Sequence, residues 1–128
     1  MKIIILTRDI KDGEKLRNSL RIFDSAFENL CCFTKKEVLN KTTDLSDCEY
    51  IFSTWYMPNF TEEEIHVLFP SLKCVFYAAG TVKYFAEPLL RSGIRVFSAA
   101  KANGIPVAEY TAAQIILAGK GYYQAQRA

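Results

Sequence analysis

The sequence has a single histidine, four cysteines without a C-x-x-C pair, almost no excess charge of either sign, and no long apolar run. Each shortage excludes something. A membrane-spanning helix needs about 20 consecutive apolar residues, and no stretch of these 128 residues comes near that length. The opening MKIIILTRD offers four apolar residues before charge returns, too few for the core of a signal peptide, so a cytoplasmic location is expected. The net charge of +2, from 16 Lys and Arg against 14 Asp and Glu, is too small to announce nucleic acid or a membrane surface as partner. The basic residues also alternate with acids, as in TRDIKDGEKLR, which is the pattern of a solvated face. Cys31, Cys32 and Cys74 fall inside strand-like runs, and with Cys48 they are expected to stay reduced and to pack as small hydrophobes, with no metal site. The NKT triplet at Asn40 matches a glycosylation acceptor but has no meaning in a chain that is not secreted.

What is present is ample apolar content. Half of the residues are hydrophobic and 23% are charged, which excludes a disordered chain. At this length one core can bury roughly two-thirds of the extended chain's surface, so one domain forms without disulfide or metal. Short β-branched and aromatic runs alternate with amphipathic ones. Strands are expected over residues 2–7, 29–34, 49–54, 72–79 and 95–99, nearly continuous in apolar residues as strands buried on both faces should be. Helices are expected near 12–23, where Leu16, Leu20 and Phe23 share a face, at 36–40, after Thr61, and at 82–91, closed by Ser92 and Gly93. Thr61 and Glu64 fit a capping box, and Pro70 ends that helix.

Five β-α units of this kind predict an α/β fold: a five-stranded parallel doubly wound sheet, flavodoxin-like, in the order 2-1-3-4-5, with a long C-terminal helix. Such sheets bind ligands beyond the carboxyl ends of their strands. Any site therefore belongs to the loops at 7–9, 53–58, 79–82 and 100–103. The final helix is expected to start at Pro106, a residue suited to a first helical turn. Its consecutive Ile115, Ile116 and Leu117 point in three directions about 100° apart, so a single buried stripe cannot cover them. A further domain or a second copy of the chain must pack there. Gly119 and Gly121 predict a bend or fraying near the end.

The loops narrow the chemistry. A receiver-type signalling domain would carry an acid at the end of the third strand, where FSTWYMPNF has none, although Lys101 matches that reading. A flavodoxin would need a hydroxyl-rich phosphate loop after the first strand, and TRDIKDG has the wrong composition. The loop AAGTVKYF is more informative. Gly80 lets backbone approach a ligand, and the amides of Thr81 and Val82 would point outward at a helix start, where an anion such as a carboxylate could be held. A glycine kept only for steric reasons is the equal alternative. Trp55 and Tyr56 either wall the same crevice or pack against a neighbour.

The AGT turn, the passage RSGIRVFSA and above all NGIPVAEYT (Asn103 to Thr111) resemble the substrate-binding, often called catalytic, domain of the D-isomer-specific 2-hydroxyacid dehydrogenases. The likeness runs from Glu49 to Leu117, and the first 48 residues fit by their β-α pattern alone. The resemblance implies a substrate-binding domain over residues 1–105 and an interdomain crossing helix over 106–128, with the nucleotide-binding domain absent. It implies that Gly80, Thr81 and Val82 meet the carboxylate of a small 2-hydroxy or 2-keto acid, and that Trp55 and Tyr56 border its pocket. Thr81 and Thr111 would face the cofactor, and Asn103 and Glu109 would act as structural posts. The family's catalytic Arg, Glu and His lie further along than this sequence extends. No G-x-G-x-x-G occurs, and His66 reads as a partly exposed helix residue. NAD or NADP is thus expected in a full-length parent and tight binding of neither here, with no turnover by the chain alone. The alternative is an interaction module, a homo-oligomer such as a dimer, paired through its final helix; a receiver-like domain is less favoured.

Overall fold

The computed structural model describes residues 2–41 and 43–127. Strands β1 (Ile3–Leu6), β2 (Cys32–Phe33), β3 (Tyr50–Ser53), β4 (Cys74–Tyr77) and β5 (Arg95–Ser98) form one all-parallel sheet in the order β2-β1-β3-β4-β5. The expected fold class and strand order are those observed. The helices are α1 (Ile10–Leu20), α2 (Lys35–Leu39), α3 (Glu62–Leu68), α4 (Ala86–Arg91), α5 (Ala100–Gly119) and α6 (Tyr122–Ala125).

Strand register sorts the side chains into two rows, because successive residues of a strand face opposite sides of the sheet. Ile4, Ile51, Val75 and Val96 lie opposite one another in one row. That row belongs to the main core, with Ile65 and Phe69 from the α3 segment and Phe85, Ala86 and Leu89 from the α4 segment. The other row is Ile5, Phe52, Phe76 and Phe97. Its β1 end is covered by α1, which buries Gly13 and Leu16. Its β4–β5 end is not: Phe76 is 36% exposed and Phe97 51%. Burial on both faces therefore holds for β1 but not for β5. The reason is the path of α5, which leaves the sheet instead of returning over that face and has no buried residue.

Several boundaries move for local reasons. Asp9 caps α1, its carboxylate accepting from the Asp12 amide at 2.9 Å, so the helix starts earlier than expected. It ends at Leu20, which leaves Phe23 outside it and exposed rather than on a face with Leu16 and Leu20. Residues Ser25–Asn29 form a 3₁₀ turn capped by Asp24, which shortens β2 to two residues. Cys31 is consequently exposed and Cys32 half-buried; only Cys48 and Cys74 are the core thiols expected. The Thr61–Glu64 capping box is present, and a second one, Thr34–Glu37, starts α2.

The last helix departs most from expectation. It begins at Ala100, where the Asn103 amide donates to the Ala99 carbonyl at 2.8 Å, and it runs through Pro106 instead of starting there. A proline inside a helix removes one backbone bond, and an exposed helix can leave the freed carbonyl to water. Ile115 and Ile116 are more than 60% exposed. The chain bends at Gly121, in the left-handed region at φ 71°, into α6. There the Tyr123 hydroxyl donates to Gln114 Oε1 and folds α6 back along α5. No described helix is long and apolar enough to cross a membrane.

Candidate functional site

The carboxyl ends of β1, β3 and β4 converge on one rim. Two fully buried hydroxyls brace it. Ser53 Oγ donates to the Leu6 carbonyl at 2.5 Å, tying β3 to β1, and Thr7 Oγ1 donates to the Asp9 carbonyl at 2.7 Å, fixing the turn into α1. Beyond them opens a cleft of about 580 Å³ lined by Arg8, Asp12, Lys15, Trp55, Tyr56 and Ala78, among others.

The cleft is polar on the α1 side and aromatic on the β3 side. Arg8 Nε lies 3.3 Å from Asp9 Oδ2, Arg8 Nη2 lies 3.1 Å from Asp12 Oδ2, and Lys15 Nζ reaches Asp12 Oδ1 at 3.5 Å. The Asp12 backbone amide, helped by Arg8, holds the Asp9 carboxyl below the ordinary carboxylate range. On the opposite wall Trp55 and Tyr56 are both at least half exposed, and Tyr56 sits in the left-handed region at φ 62°. A non-glycine residue there is uncommon and concentrates at sites where the surrounding structure imposes it. Here the buried Met57 and Phe60 anchor the loop just beyond it. Trp55 and Tyr56 line this cleft opposite Arg8, Asp12 and Lys15.

Of the AAGT loop, Ala78 is among the residues lining that cleft, and Gly80, Thr81 and Val82 are not. Ala78 donates to the Ser53 carbonyl at 2.8 Å and Ala79 is buried, so the loop is anchored up to Gly80. A Cβ on Gly80 would lie 3.3 Å from Asn103 Nδ2, which makes Gly80 a close-approach position against the first turn of α5. Among the described residues, none of the Gly80, Thr81 and Val82 amides donates to a backbone carbonyl. The Val82 side chain packs on the core and its carbonyl accepts from Phe85 and Ala86. The helix proper therefore starts at Ala86, not at Val82. The Gly80, Thr81 and Val82 amides precede the turn into that helix, and the helix-dipole contribution expected for them is correspondingly reduced.

Thr111 is not brought to either place. It lies exposed on α5, about 12 Å along the helix axis from Asn103, and its hydroxyl donates to the Val107 carbonyl at 2.8 Å. Glu109 is exposed on the same helix and His66 is exposed on α3. Arg8, Asp12 and Lys15 were not singled out by residue chemistry, although the loop at 7–9 is one the topology marks. Their run of mixed charge reads as a solvated helix face, and only the packing of α1 beside the β3 loop turns that face toward a cleft. Among the described residues no cluster of three or more His, Cys, Asp or Glu could hold a metal ion.

Two buried groups elsewhere are pushed toward their neutral forms. Burial moves the Cys48 thiol up to about 11. Burial, with the hydroxyl of Tyr84 3.2 Å away, moves the Tyr77 phenol upward as well.

No protein-family model and no curated protein matches the chain by sequence. Among solved structures, NAD-dependent formate dehydrogenase from Staphylococcus aureus, crystallised in complex with NAD, aligns over 99% of this chain with a TM-score of 0.62 and 21% identity. The chain spans 39% of that enzyme's length. The dehydrogenase resemblance read in the sequence thus holds at the level of fold, and this chain has the fold of a portion of an NAD-dependent dehydrogenase.

Proposed function

We propose that the chain is the substrate-binding domain of an NAD(P)-dependent 2-hydroxyacid dehydrogenase, and that it holds the carboxylate of a small 2-hydroxy or 2-keto acid. The observation that carries this reading is the Gly80 turn. Three consecutive amides, of Gly80, Thr81 and Val82, lack backbone acceptors, and a glycine at which a Cβ would crowd Asn103 Nδ2 at 3.3 Å lies against the NGIPVAEYT segment. An array of N–H groups of this kind suits an anion. The Trp55–Tyr56 wall would border the rest of the substrate, at the rim where Arg8 and Lys15 are paired with Asp9 and Asp12.

The described residues do not fit a dinucleotide. A pyrophosphate cradle needs several glycines at one strand-to-helix turn, and the turns after β1, β3 and β4 contain at most Gly80. In this reading the cofactor is held by a separate nucleotide-binding domain, which residues 106–128 of the crossing helix would meet, with Thr81 and Thr111 at its border. Hydride transfer requires a held nicotinamide and a group that moves the hydroxyl proton. The domain alone therefore binds without turning over, and a cytoplasmic location goes with that reading.

The test is a titration of the ¹⁵N-labelled chain with pyruvate, glyoxylate and the corresponding 2-hydroxy acids. Saturable amide shifts centred on Gly80, Thr81 and Val82 are expected, without reduction of the keto acid when NADH is added. Shifts absent from this turn, or enzyme-like turnover, would overturn the proposal.

A further inference from the structure

We infer, resting on the dehydrogenase reading just given, that the acid held at the Gly80 turn carries an aromatic side chain, and that its ring lies in the cleft against Trp55. Ser53 and Tyr77 stand opposite each other at the ends of β3 and β4, so the loops that carry Trp55 and Gly80 leave the sheet side by side. Ala78 lines the cleft, and Gly80 follows two residues later, at most about 7 Å along the chain. In an aryl-substituted lactate or pyruvate a single methylene separates the ring from the carbon that bears oxygen. A carboxylate at the turn leaves such a ring within reach of the cleft.

The cleft suits a ring better than a methyl group or a second charge. Its volume of about 580 Å³ falls among pockets of about 300–1,000 Å³ that enclose sizeable ligands, and a methyl side chain would leave most of it empty. Leu16, Ala78 and the Trp55–Tyr56 pair give it apolar walls. Its cations already have partners, Arg8 in Asp9 and Asp12 and Lys15 in Asp12. A second carboxylate on the ligand would have to displace those carboxylates or be repelled by them.

Of the two aromatic residues, Trp55 is the one with an open ring face. Tyr56 has the Arg8 guanidinium over one face, whereas Trp55 pairs with no other ring among the described residues. The loop is also held in an uncommon shape. Tyr56 keeps its left-handed backbone at φ 62° between Trp55 and the buried Met57, and such strain persists where a fixed side-chain placement is part of what a site does. The lining comes from α1 and from the loops after β1, β3 and β4, and no residue of α5 enters it.

Trp55 is the only tryptophan in the sequence, so its fluorescence reports on the cleft directly. Lactate, phenyllactate and malate are titrated into the ¹⁵N-labelled chain, followed by Trp55 emission and by the amide shifts of Gly80, Thr81 and Val82. Phenyllactate should bind about 10-fold more tightly than lactate, with emission and turn amides saturating together, and malate should gain nothing over lactate. Trp55→Ala should abolish the preference for phenyllactate, read from the turn amides, and Trp55→Phe should keep most of it. Turn shifts with equal affinity for lactate and phenyllactate would overturn the aromatic side chain and leave the dehydrogenase reading standing. Tighter binding of malate than of phenyllactate, or an emission change without shifts at the turn, would also overturn it. Turn amides that respond to none of the three acids would remove the dehydrogenase reading of the site and this inference with it.

Discussion

The guanidinium of Arg8 lies 4.6 Å from the centroid of the Tyr56 ring, joining the loop after β1 to the loop after β3 across the mouth of the cleft. An exposed cation–π contact contributes about 0.5–1 kcal/mol, and a left-handed backbone costs a non-glycine residue about 1–2 kcal/mol. The two effects are of similar size, so the contact helps hold a strained residue as a wall. Arg8→Met should lower stability by about 0.5–1 kcal/mol, whereas Tyr56→Gly, which loses the contact but relieves the strain, should stay within about 0.5–1 kcal/mol of the parent. Urea unfolding of both variants checks this, and a large loss in Tyr56→Gly would show that the ring is packed more deeply than its exposure indicates.

Gly80 and Asn103 are coupled by a missing methyl group. With 3.3 Å between a Cβ at position 80 and Asn103 Nδ2, Gly80→Ala requires the amide to shift by a few tenths of an ångström. It should cost about 1 kcal/mol in the parent and less in an Asn103→Ala background, giving a coupling of about 0.5–1 kcal/mol in a double-mutant cycle. Additivity of the two changes would mean that they do not share that space.

Two helical glycines should respond to alanine with opposite signs. A Cβ at Gly13 would meet Cys32 Cβ and Thr7 Oγ1 at 3.0 Å and Cys32 Sγ at 3.1 Å, whereas nothing lies within 4 Å of one at Gly104. Gly13→Ala gains helix propensity but overpacks the junction of α1 with β2, for a net loss of about 1–3 kcal/mol. Gly104→Ala should gain about 0.5–1 kcal/mol, seen as increased helicity and a higher midpoint in thermal unfolding.

The buried Cys48 thiol makes stability fall in alkali. Its folded value of about 11 lies above the ordinary 9.0, so the native state keeps a proton that the unfolded chain releases. The resulting stabilisation is complete below pH 9, declines as pH rises, and is lost above about pH 11, with a slope of up to about 1.4 kcal/mol per pH unit. Cys48→Ala should show a shallower decline across that window in urea titrations. Thiol labelling of the native chain should modify the exposed Cys31 first and leave Cys48 protected.

The sheet was legible in the sequence because a parallel strand is a short local event. The runs around Ile4, Ile51 and Val75 are apolar at almost every position, and right-handed connection leaves few orders in which five such runs can pair. The Thr61–Glu64 cap was readable for the same reason, since both partners lie within one turn. The start of α5 was not. Proline at 106 suits a first turn, and the hydrogen bond that begins the helix six residues earlier, from Asn103 to Ala99, depends on Ala99 being held by Tyr77 of a neighbouring strand.

The candidate site divides along the same line. The composition of the AAGT turn alone marked Gly80 as a place where backbone approaches something, and the order of the strands marked the rim. That Arg8 faces Tyr56 and that Asn103 is what Gly80 makes room for are relations between residues 48 and 23 positions apart, which no local pattern encodes. The sequence by itself determined the α/β architecture, the strand order and the absence of a dinucleotide turn, because each depends on local periodicity and composition. The tertiary structure decided which charges enter the cleft and which phenylalanines stay uncovered, because both depend on where α1 and α5 travel after leaving the sheet.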